Sequence, residues 1–463
     1  MNAIASSATL PLKTSAVFIC LLAALAGLMF GLDIGVISGA SHFIQAEFEI
    51  PDRTIEWIVS SMMFGAAIGA AAAGWISAVA GRKRSLLLAA SLFVAGSLLC
   101  ALAWSPQSLI AARIVLGLAI GLAAFNAPLY LAEVAAEDSR GAMISTYQLM
   151  ITIGILIAFL SDTAFSYSGS WRWMLGIIAI PGVLFLFGLL LLPDSPRWLM
   201  MRGRKDEAIA VLQRLRGDAR VVAREAADIE EQLRTPQHGW RLFVENRNFR
   251  RSVGLGVMLQ LVQQFTGMNV VMYYAPRIFA DMGYDLASQM WFTAAVGLTN
   301  VLATFIAIGL IDRWGRKPIL YTGFAVMAIG LAVVGTMMHL GIAGQTEQRF
   351  TVAMLLLFIV GFAMSAGPLV WTLCSEVQPL KGRDFGIGCS TVTNWVANMI
   401  VGATFLSLLD GIGHAPTFWL YAGLNLTFVV FTFAFVPETR GVTLEHIERN
   451  LMRGAPLREL GDH

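Results

Sequence analysis

Charged side chains are scarce along this chain of 463 residues. Only 13% of the residues are Asp, Glu, Lys or Arg, against about 25% in an average soluble domain, whereas 57% are hydrophobic. A water-soluble fold of this length could not bury so much apolar surface. The 32 basic and 30 acidic residues nearly balance, which argues against a nucleic-acid partner, since such proteins carry a basic surface. The composition predicts a protein embedded in a lipid bilayer.

Cysteine is rare as well, and catalytic motifs are absent. The four cysteines lie in apolar stretches without C-x-x-C spacing, so we expect neither disulfides nor metal ligands among them. The sequence contains no P-loop, no H-E-x-x-H and no G-x-S-x-G motif. It therefore predicts no enzyme, no cofactor and no metal.

Long hydrophobic runs, by contrast, are abundant. A window of about 20 residues finds stretches that can each span a bilayer, and because backbone groups in lipid must bond internally, we expect them to be helices. The sequence thus predicts an all-α membrane protein with twelve transmembrane helices. The predicted spans are 14–36, 57–78, 86–103, 109–131, 143–165, 174–192, 252–275, 290–311, 318–338, 351–375, 386–409 and 417–436. A polar insert between the sixth and seventh spans contains two short amphipathic helical patterns.

The distribution of basic residues predicts the orientation. If the N-terminus is cytoplasmic, 27 of the 32 Lys and Arg residues lie on that side of the membrane. Cytoplasmic loops are the ones enriched in basic residues. We therefore expect both chain ends in the cytoplasm.

The two halves of the chain repeat each other. "GRKR" at Gly81 recurs as "GRKP" at Gly315, "EVAAEDSRG" at Glu133 recurs as "EVQPLKGRD" at Glu376, and "PDSPRW" is echoed by "PETRG". Such duplication is typical of transporters in which two bundles move around a midplane site. We expect a six-helix bundle over 1–192, a cytoplasmic linker over 193–251, a second six-helix bundle over 252–436 and a cytoplasmic tail over 437–463.

An isolated acid lies in the first span. Asp33 is the only charged residue between Thr14 and Ala46, and Arg113 is the only one between Ser85 and Ala132. Both are expected in the outer part of their helices, and an ion pair would lower the cost of burying them. Burial favours the neutral form of a carboxyl group and a nearby Arg favours the ionised form, so the pair is a candidate for proton exchange. The alternative is a permanent structural salt bridge.

Several longer motifs carry a family resemblance. They are "DRWGRKP" (312–318), "PLYLAEVAAEDSRG" (128–141), "YQLMITIGI" (147–155), "PDSPRWL" (193–199), "QQFTGMNVVMYYAP" (263–276), "GPLVWTLCSE" (367–376), "NWVANMIVGATF" (394–405) and "PETRG" (437–441). Together they resemble the sugar porter family of the major facilitator superfamily and, within it, the bacterial galactose–proton symporters. The first basic loop, "AVAGRKR", departs from the pattern because it lacks the acid that the second copy has as Asp312.

A sugar site requires groups that both donate and accept hydrogen bonds, together with an aromatic face. Carboxamides and an indole in the predicted spans supply that set, and the resemblance implies the same residues as sugar contacts. They are Gln148, Gln263, Gln264, Asn269, Asn300, Trp371 and Asn394, with Tyr273, Trp395 and Asn398 as weaker candidates for lining or gate positions. Amides of this kind can instead hold transmembrane helices together.

The resemblance also implies proton coupling through Asp33 and Arg113, because proton-coupled sugar porters have an acid at this position. The cytoplasmic loops are expected to hold the inner side shut through ion pairs that break in each cycle, although exposed pairs are weak and these charges can simply anchor the topology. The expected gate residues are Arg82, Glu133, Arg140, Asp312, Arg316, Glu376, Arg383 and Glu438.

These expectations combine into one function. We expect a monomeric multi-pass protein of the bacterial inner membrane that imports a hexose, of the galactose or glucose type, together with protons. A facilitator without proton coupling, a symporter of arabinose or another pentose, and a sugar sensor that does not transport remain as alternatives.

Overall fold

The computed structural model describes residues 12–135, 140–233, 239–342 and 344–462, apart from the side chains of residues 12–21, 23, 140–142, 144, 145, 232, 311 and 312. Within these ranges the regular elements are all helices. In chain order they are α1 (Leu12–Phe48), α2 (Asp52–Ala80), α3 (Arg82–Ala101), α4 (Pro106–Val134), α5 (Arg140–Ser166), α6 (Trp171–Gly176), α7 (Ala179–Leu191), α8 (Pro196–Met201), α9 (Lys205–Arg216), α10 (Ala219–Leu233), α11 (Gly239–Glu245), α12 (Arg247–Phe265), α13 (Met268–Asp281), α14 (Leu286–Trp314), α15 (Arg316–Leu340), α16 (Gln345–Met364), α17 (Ala366–Glu376), α18 (Arg383–Ile412), α19 (His414–Phe435) and α20 (Leu444–Met452).

Eleven helical stretches of the described chain are long and apolar enough to cross a membrane. The expected seventh span, 252–275, is not one continuous helix, because α12 ends at Phe265 and α13 begins at Met268. Gly267 between them has a φ of 89°, which glycine adopts without strain, and a Cβ there would come within 2.9 Å of the Tyr421 ring. Taken as one crossing, α12 and α13 complete the predicted set of twelve.

The expected tenth span, 351–375, is interrupted as well. Helix α16 ends at Met364 and α17 begins at Ala366, with Ser365 between them at φ −129° and ψ −90°. Interrupted transmembrane helices bring polar backbone groups to the interior of a bundle, where transporters place their substrates. These two interruptions, both in the second half, therefore point to the region between α12, α13, α16 and α17.

Glycine allows the helices of the first half to pack at backbone distance. A Cβ on Gly31 of α1 would lie 2.0 Å from the carbonyl oxygen of Ile151 on α5, and one on Gly117 of α4 would lie 2.0 Å from that of Met62 on α2. Small residues at such contacts favour helix association in lipid, where the hydrophobic effect between helices is weak. This packing fixes the positions of α1, α2, α4 and α5, which carry the isolated charges.

The polar insert forms four short helices, α8 to α11, and α9 contacts α1. We call the end of the bundle that carries residues 193–251 the linker face. The opposite end, which carries the turns at residues 49–51, 167–170 and 282–285, is called the far face.

Candidate functional site

A connected group of carboxamides surrounds the two helix interruptions. The Nε2 group of Gln263 on α12 donates to the carbonyl oxygens of Ala366, at 2.8 Å, and Gly367, at 3.1 Å, in the first turn of α17. Its Oε1 atom accepts a hydrogen bond of 2.9 Å from Asn394 on α18. Gln263 thus joins three segments of the second half at one buried side chain.

The same group extends across the break between α12 and α13. Asn269 donates to the Oε1 atom of Gln264, and Gln264 donates to the Oε1 atom of Gln263 at 3.4 Å. Each carboxamide offers two donor hydrogens and two acceptor lone pairs, so several of these hydrogen bonds can be exchanged for bonds to hydroxyl groups. Four of the seven residues expected to bind sugar therefore form one network.

The other three expected sugar residues lie outside this network. Gln148 is half-buried on α5, Asn300 is buried on α14, and the indole of Trp371 on α17 is 37% exposed. Among the described residues, no side-chain hydrogen bond connects any of the three to the amide network. Their roles stay predictions.

Gln260 belongs to the network and was not predicted from the sequence. It is fully buried, and its Oε1 atom accepts a hydrogen bond of 2.6 Å from Asn394. Gln260 precedes Gln263 by three residues, which places both on the same face of a helix. That spacing was the signal that could have found it.

Two of the weaker candidates also have defined partners. Tyr273 and Asn398 form a hydrogen bond with each other, at 3.0 to 3.2 Å, between α13 and α18. Trp395 packs against Phe30 of α1, with ring centroids 5.3 Å apart. The Phe30–Trp395 contact joins the first and second halves of the chain next to the amide network.

Asp33 and Arg113 lie within ion-pair distance, as expected from the sequence. Both side chains are completely buried, and Oδ1 of Asp33 is 3.7 Å from Nη1 of Arg113. The Nε group of Arg113 donates to the carbonyl oxygen of Ile58 at 2.9 Å, but neither carboxylate oxygen and neither Nη atom has a hydrogen-bond partner among the described residues. The charges are close enough to attract each other, yet no direct hydrogen bond fixes the carboxylate.

A second ion pair, within α2, forms hydrogen bonds that join the halves at the far face. The carboxylate of Glu56 on α2 accepts hydrogen bonds from the backbone N–H of Ser407, at 2.8 Å, and from its hydroxyl, at 2.6 Å. Arg53 contacts Glu56 at 3.1 Å and donates to the carbonyl oxygen of Ala403, also at 3.1 Å. We call this set of Arg53, Glu56, Ala403 and Ser407 the far clasp.

Further contacts between the halves lie at the same end. Arg277 on α13 pairs with Asp52 at 3.3 Å, and the hydroxyl of Thr163 on α5 donates to the carbonyl oxygen of Met290 on α14 at 3.2 Å. At the linker face, no hydrogen bond or ion pair between described residues joins the first half to the second. The structure is therefore closed at the far face.

The duplicated motifs form equivalent clusters at the linker face. Arg82 contacts Glu133 through Nε and Nη2 at 2.9 to 3.2 Å, and the hydroxyl of Ser195 donates to the same carboxylate. In the second half, Arg316 contacts Glu376 at 3.3 Å, and the Thr439 hydroxyl donates to that carboxylate. The three pairs of repeated motifs thus meet in the same way in both halves.

These clusters differ from the expected gate in one respect. The described ion pairs connect loops of one half, so they are formed although the far face is closed. Glu438 accepts hydrogen bonds of 3.0 Å from the backbone N–H groups of Arg316 and Lys317, and Arg383 donates to the carbonyl oxygen of Gln378 at 3.4 Å. The side chains of Arg140 and Asp312 lie outside the described residues. A gating role for these residues stays a prediction.

Two buried acids were missed by the sequence analysis. Glu56 and Asp162 are each 1% exposed. Asp162 is the only charged residue between Arg140 and Arg172, the same kind of isolation that singled out Asp33. Glu56 lies one residue outside the predicted second span and therefore resembled a surface charge.

Comparison with known proteins identifies the family. Residues 19–451 match the family described as Sugar (and other) transporter. The chain is 63% identical to the galactose-proton symporter of Escherichia coli K12 over 97% of both chains, and 57% identical to the arabinose-proton symporter of the same strain over 96% of this chain and 95% of the other.

Solved structures agree with this assignment. The partially occluded inward open conformation of the xylose transporter XylE from E. coli superposes with a TM-score of 0.82 at 30% identity, covering 93% of this chain and all of the other. The same fold, the duplicated motifs and the extent of the sequence match lead to one conclusion: the chain belongs to the sugar (and other) transporter family of multi-pass membrane proteins.

Proposed function

We propose that this protein is a proton-coupled symporter that carries a hexose, of the D-galactose or D-glucose type, into the bacterial cell. The observation that carries the proposal is the buried pair of Asp33 and Arg113, whose facing atoms have no hydrogen-bond partners among the described residues. An intramembrane carboxylate of this kind is a candidate proton carrier. The relatives at 63% and 57% identity, both proton symporters by name, support the coupling.

The linker face corresponds to the cytoplasm in this proposal. The linker and the adjacent loops hold most of the Lys and Arg residues, which are retained on the cytoplasmic side of membranes. Both chain ends are then cytoplasmic, and the far face borders the periplasm. The far-closed structure accordingly represents the inward-facing state of a transporter that acts as a monomer in the inner membrane.

In the proposed cycle, proton uptake and sugar binding are coupled to the alternate opening of the far face and the linker face. When the far face is open, Asp33 takes up a proton, and its attraction to Arg113 is lost. Sugar then binds to the amide network, the halves 1–192 and 252–436 close at the far face, and release of sugar to the cytoplasm precedes deprotonation of Asp33. Moving one charge through the membrane potential supplies about 2.3 kcal/mol per 100 mV, which is enough to accumulate sugar against a gradient.

The sugar site proposed here is centred on Gln263. Its neighbours Gln264, Asn269 and Asn394 supply hydrogen-bonding groups, and the partly exposed indole of Trp371 supplies an apolar face for the C–H surface of a pyranose ring. Gln148 and Asn300 are proposed to contact the sugar from α5 and α14.

The decisive variant is Asp33→Asn. It keeps the size of the side chain but cannot exchange a proton, so it imitates the protonated state permanently. We expect sugar exchange across the membrane to persist, while accumulation against a gradient and the sugar-linked alkalinisation of the medium are lost. In de-energised cells a pH electrode records the alkalinisation and labelled sugar records the exchange, whereas accumulation is measured with labelled sugar in energised cells.

The control is Asp410→Asn, which removes an exposed carboxylate at the far end of α18 and should change neither readout. If Asp33→Asn retains sugar-linked proton uptake, another acid carries the proton. If the unaltered protein shows no such uptake, it is a facilitator.

Arabinose is the second candidate substrate. The 57% identity to the arabinose-proton symporter of E. coli favours testing it directly. Competition of unlabelled galactose, glucose, arabinose and xylose against labelled galactose ranks the sugars, and a half-inhibitory concentration of arabinose below that of galactose would reverse the proposed preference.

A further inference from the structure

Asp162 is a fully enclosed acid on α5 that the proposed cycle does not use. Its Oδ2 atom accepts a hydrogen bond of 3.0 Å from the backbone N–H of Gly39 on α1, and its Oδ1 atom has no hydrogen-bond partner among the described residues. A Cβ on Gly39 would lie 2.5 Å from the carboxyl group, so the glycine is what permits this close approach. The carboxyl group is enclosed by α1 on this side.

Helix α14, which belongs to the second half of the chain, lies immediately beside it. Thr163, the next residue, donates its hydroxyl to the carbonyl oxygen of Met290 on α14, and Gly297 of α14 packs against Phe159 of α5. Asp162 therefore lies where α5 and α14 meet near the far face. Opening of that face, in the alternation proposed above, would separate these two helices.

The described side chains provide no counter-charge for this acid. The acidic, basic and histidine residues on the helices packed around α5 are Lys13, Asp33, His42 and Glu47 on α1, Arg113 and Glu133 on α4, Arg172 on α6, and Asp285, Asp312 and Arg313 at the two ends of α14. Arg113 faces Asp33, Arg172 pairs with Glu47 at 2.8 Å, and Glu133 is held by Arg82 at the linker face. No cation among the described side chains lies within ion-pair distance of Asp162.

Burying an ionised carboxylate costs several kcal/mol unless a cation or several donors compensate for the lost water. Among the described residues Asp162 has one backbone donor and no cation, so the neutral carboxylic acid is the form that this closed arrangement accommodates. Separation of α5 and α14 would admit water and remove that constraint.

We propose that Asp162 is a second proton-binding site, which takes up a proton from the far side when the halves close around it and returns the proton to the same side when they open. Because the proton enters and leaves on one face, it adds nothing to the number of protons carried per sugar. Its effect is that a lower pH on the far side favours closure of the far face. This inference rests on the alternation of the halves proposed above, but not on the identity of the sugar or on the role of Asp33.

The test measures opening of the far face as a function of external pH. Val59 of α2 is completely buried, 3.7 Å from the position of a Cβ on Gly402 of α18, so a Val59→Cys thiol reacts with an impermeant maleimide only when the far face opens. Trp104→Cys, at a position 79% exposed on the same face, reports the pH dependence of the labelling chemistry alone. The rate of labelling at Val59→Cys divided by the rate at Trp104→Cys, both in right-side-out vesicles, therefore measures opening of the far face separately from the labelling chemistry.

All measurements are made with Asp33→Asn, so that Asp33 cannot contribute. We expect the rate ratio to fall by up to about tenfold per pH unit over part of the range from about pH 8 to about pH 6, the limit for one linked proton. Adding Asp162→Asn, which keeps an acceptor for Gly39, should make the ratio independent of pH.

Three results would overturn the inference. One is a ratio that stays constant with pH while Asp162 is intact, a result that does not depend on whether an Asp162 variant folds. Another is a pH dependence that survives in Asp162→Asn. The third concerns the protein with Asp33 unaltered, in which Asp162→Asn should retain sugar-linked proton uptake with the same ratio of protons to sugar; loss of that uptake would make Asp162 part of the coupling. Failure of the Asp33 experiment leaves these labelling ratios unaffected, so the two proposals fail separately.

Discussion

Gln263 takes hydrogen-bond partners from α17 and α18, two segments that lie more than a hundred residues further along the chain. Truncating such a residue would disturb packing as well as sugar binding. Gln264 is a better probe at the scale of one residue, because its bonds are to Asn269 and Gln263 within the same interrupted pair of helices.

We predict that Gln264→Ala raises the half-saturation concentration for sugar at least about tenfold while the amount of folded protein is unchanged. The physical reason is that sugar hydroxyls left without a partner on binding cost about 1 to 3 kcal/mol each. Initial rates of labelled-sugar uptake measure the effect. Gln348→Ala removes an amide that bonds to the Met282 carbonyl at the far face and serves as the control. Equal half-saturation in the two variants would remove Gln264 from the site.

At the scale of helices, the far face is closed by the contact between α2 and α18. The far clasp brings the first turn of α2 against the last turns of α18, and its Arg and Glu reach the C=O of Ala403 and the N–H of Ser407. Those two backbone groups are four residues apart, so both charges of α2 engage one turn of α18. The near-complete burial of the Glu56 carboxylate makes these hydrogen bonds stronger than exposed ones.

We predict that Glu56→Ala weakens the far-closed state and raises labelling of Val59→Cys several-fold at constant pH, because the bonds to Ser407 exist only while the halves touch. Glu49→Ala, an exposed acid seven residues earlier, is the control and should leave labelling unchanged. Unchanged labelling in Glu56→Ala would show that the clasp does not contribute to closure.

At the scale of the whole molecule, the contacts between halves lie toward the far face and beside the amide network, whereas the duplicated ion-pair clusters lie within each half. This distribution permits each half to move as a unit while its own clusters stay intact. Transport then requires the far contacts to separate in every cycle.

A reversible cross-link tests that requirement. In a Val59→Cys, Gly402→Cys pair, the two sulfurs should come close enough to bond, since a Cβ at 402 lies 3.7 Å from Cγ1 of Val59. We predict that oxidation abolishes sugar uptake and that reduction restores it. The single variant Val59→Cys should be insensitive to oxidation. Full uptake by a protein shown to be cross-linked would contradict alternation at this face.

Features that depend on the order of residues were predicted from the sequence, whereas most contacts between helices were not. The number and type of spans, the duplication and the isolation of Asp33 and Arg113 could be predicted, because hydrophobic length, repeated motifs and scarcity of charge are properties of the chain read in order. The contacts of Gln260 and Glu56 could not be predicted, since they depend on which helix lies opposite each side chain.

The sequence by itself determined that this chain spans a membrane in two similar halves and belongs among sugar transporters, since lipid imposes long apolar stretches and each family motif is a short contiguous segment. The tertiary structure decided which face is closed, where α12 to α13 and α16 to α17 are interrupted, and that Asp162 is buried beside Gly39. Those features arise from contacts between residues more than a hundred positions apart, whose distances only the packing of helices sets.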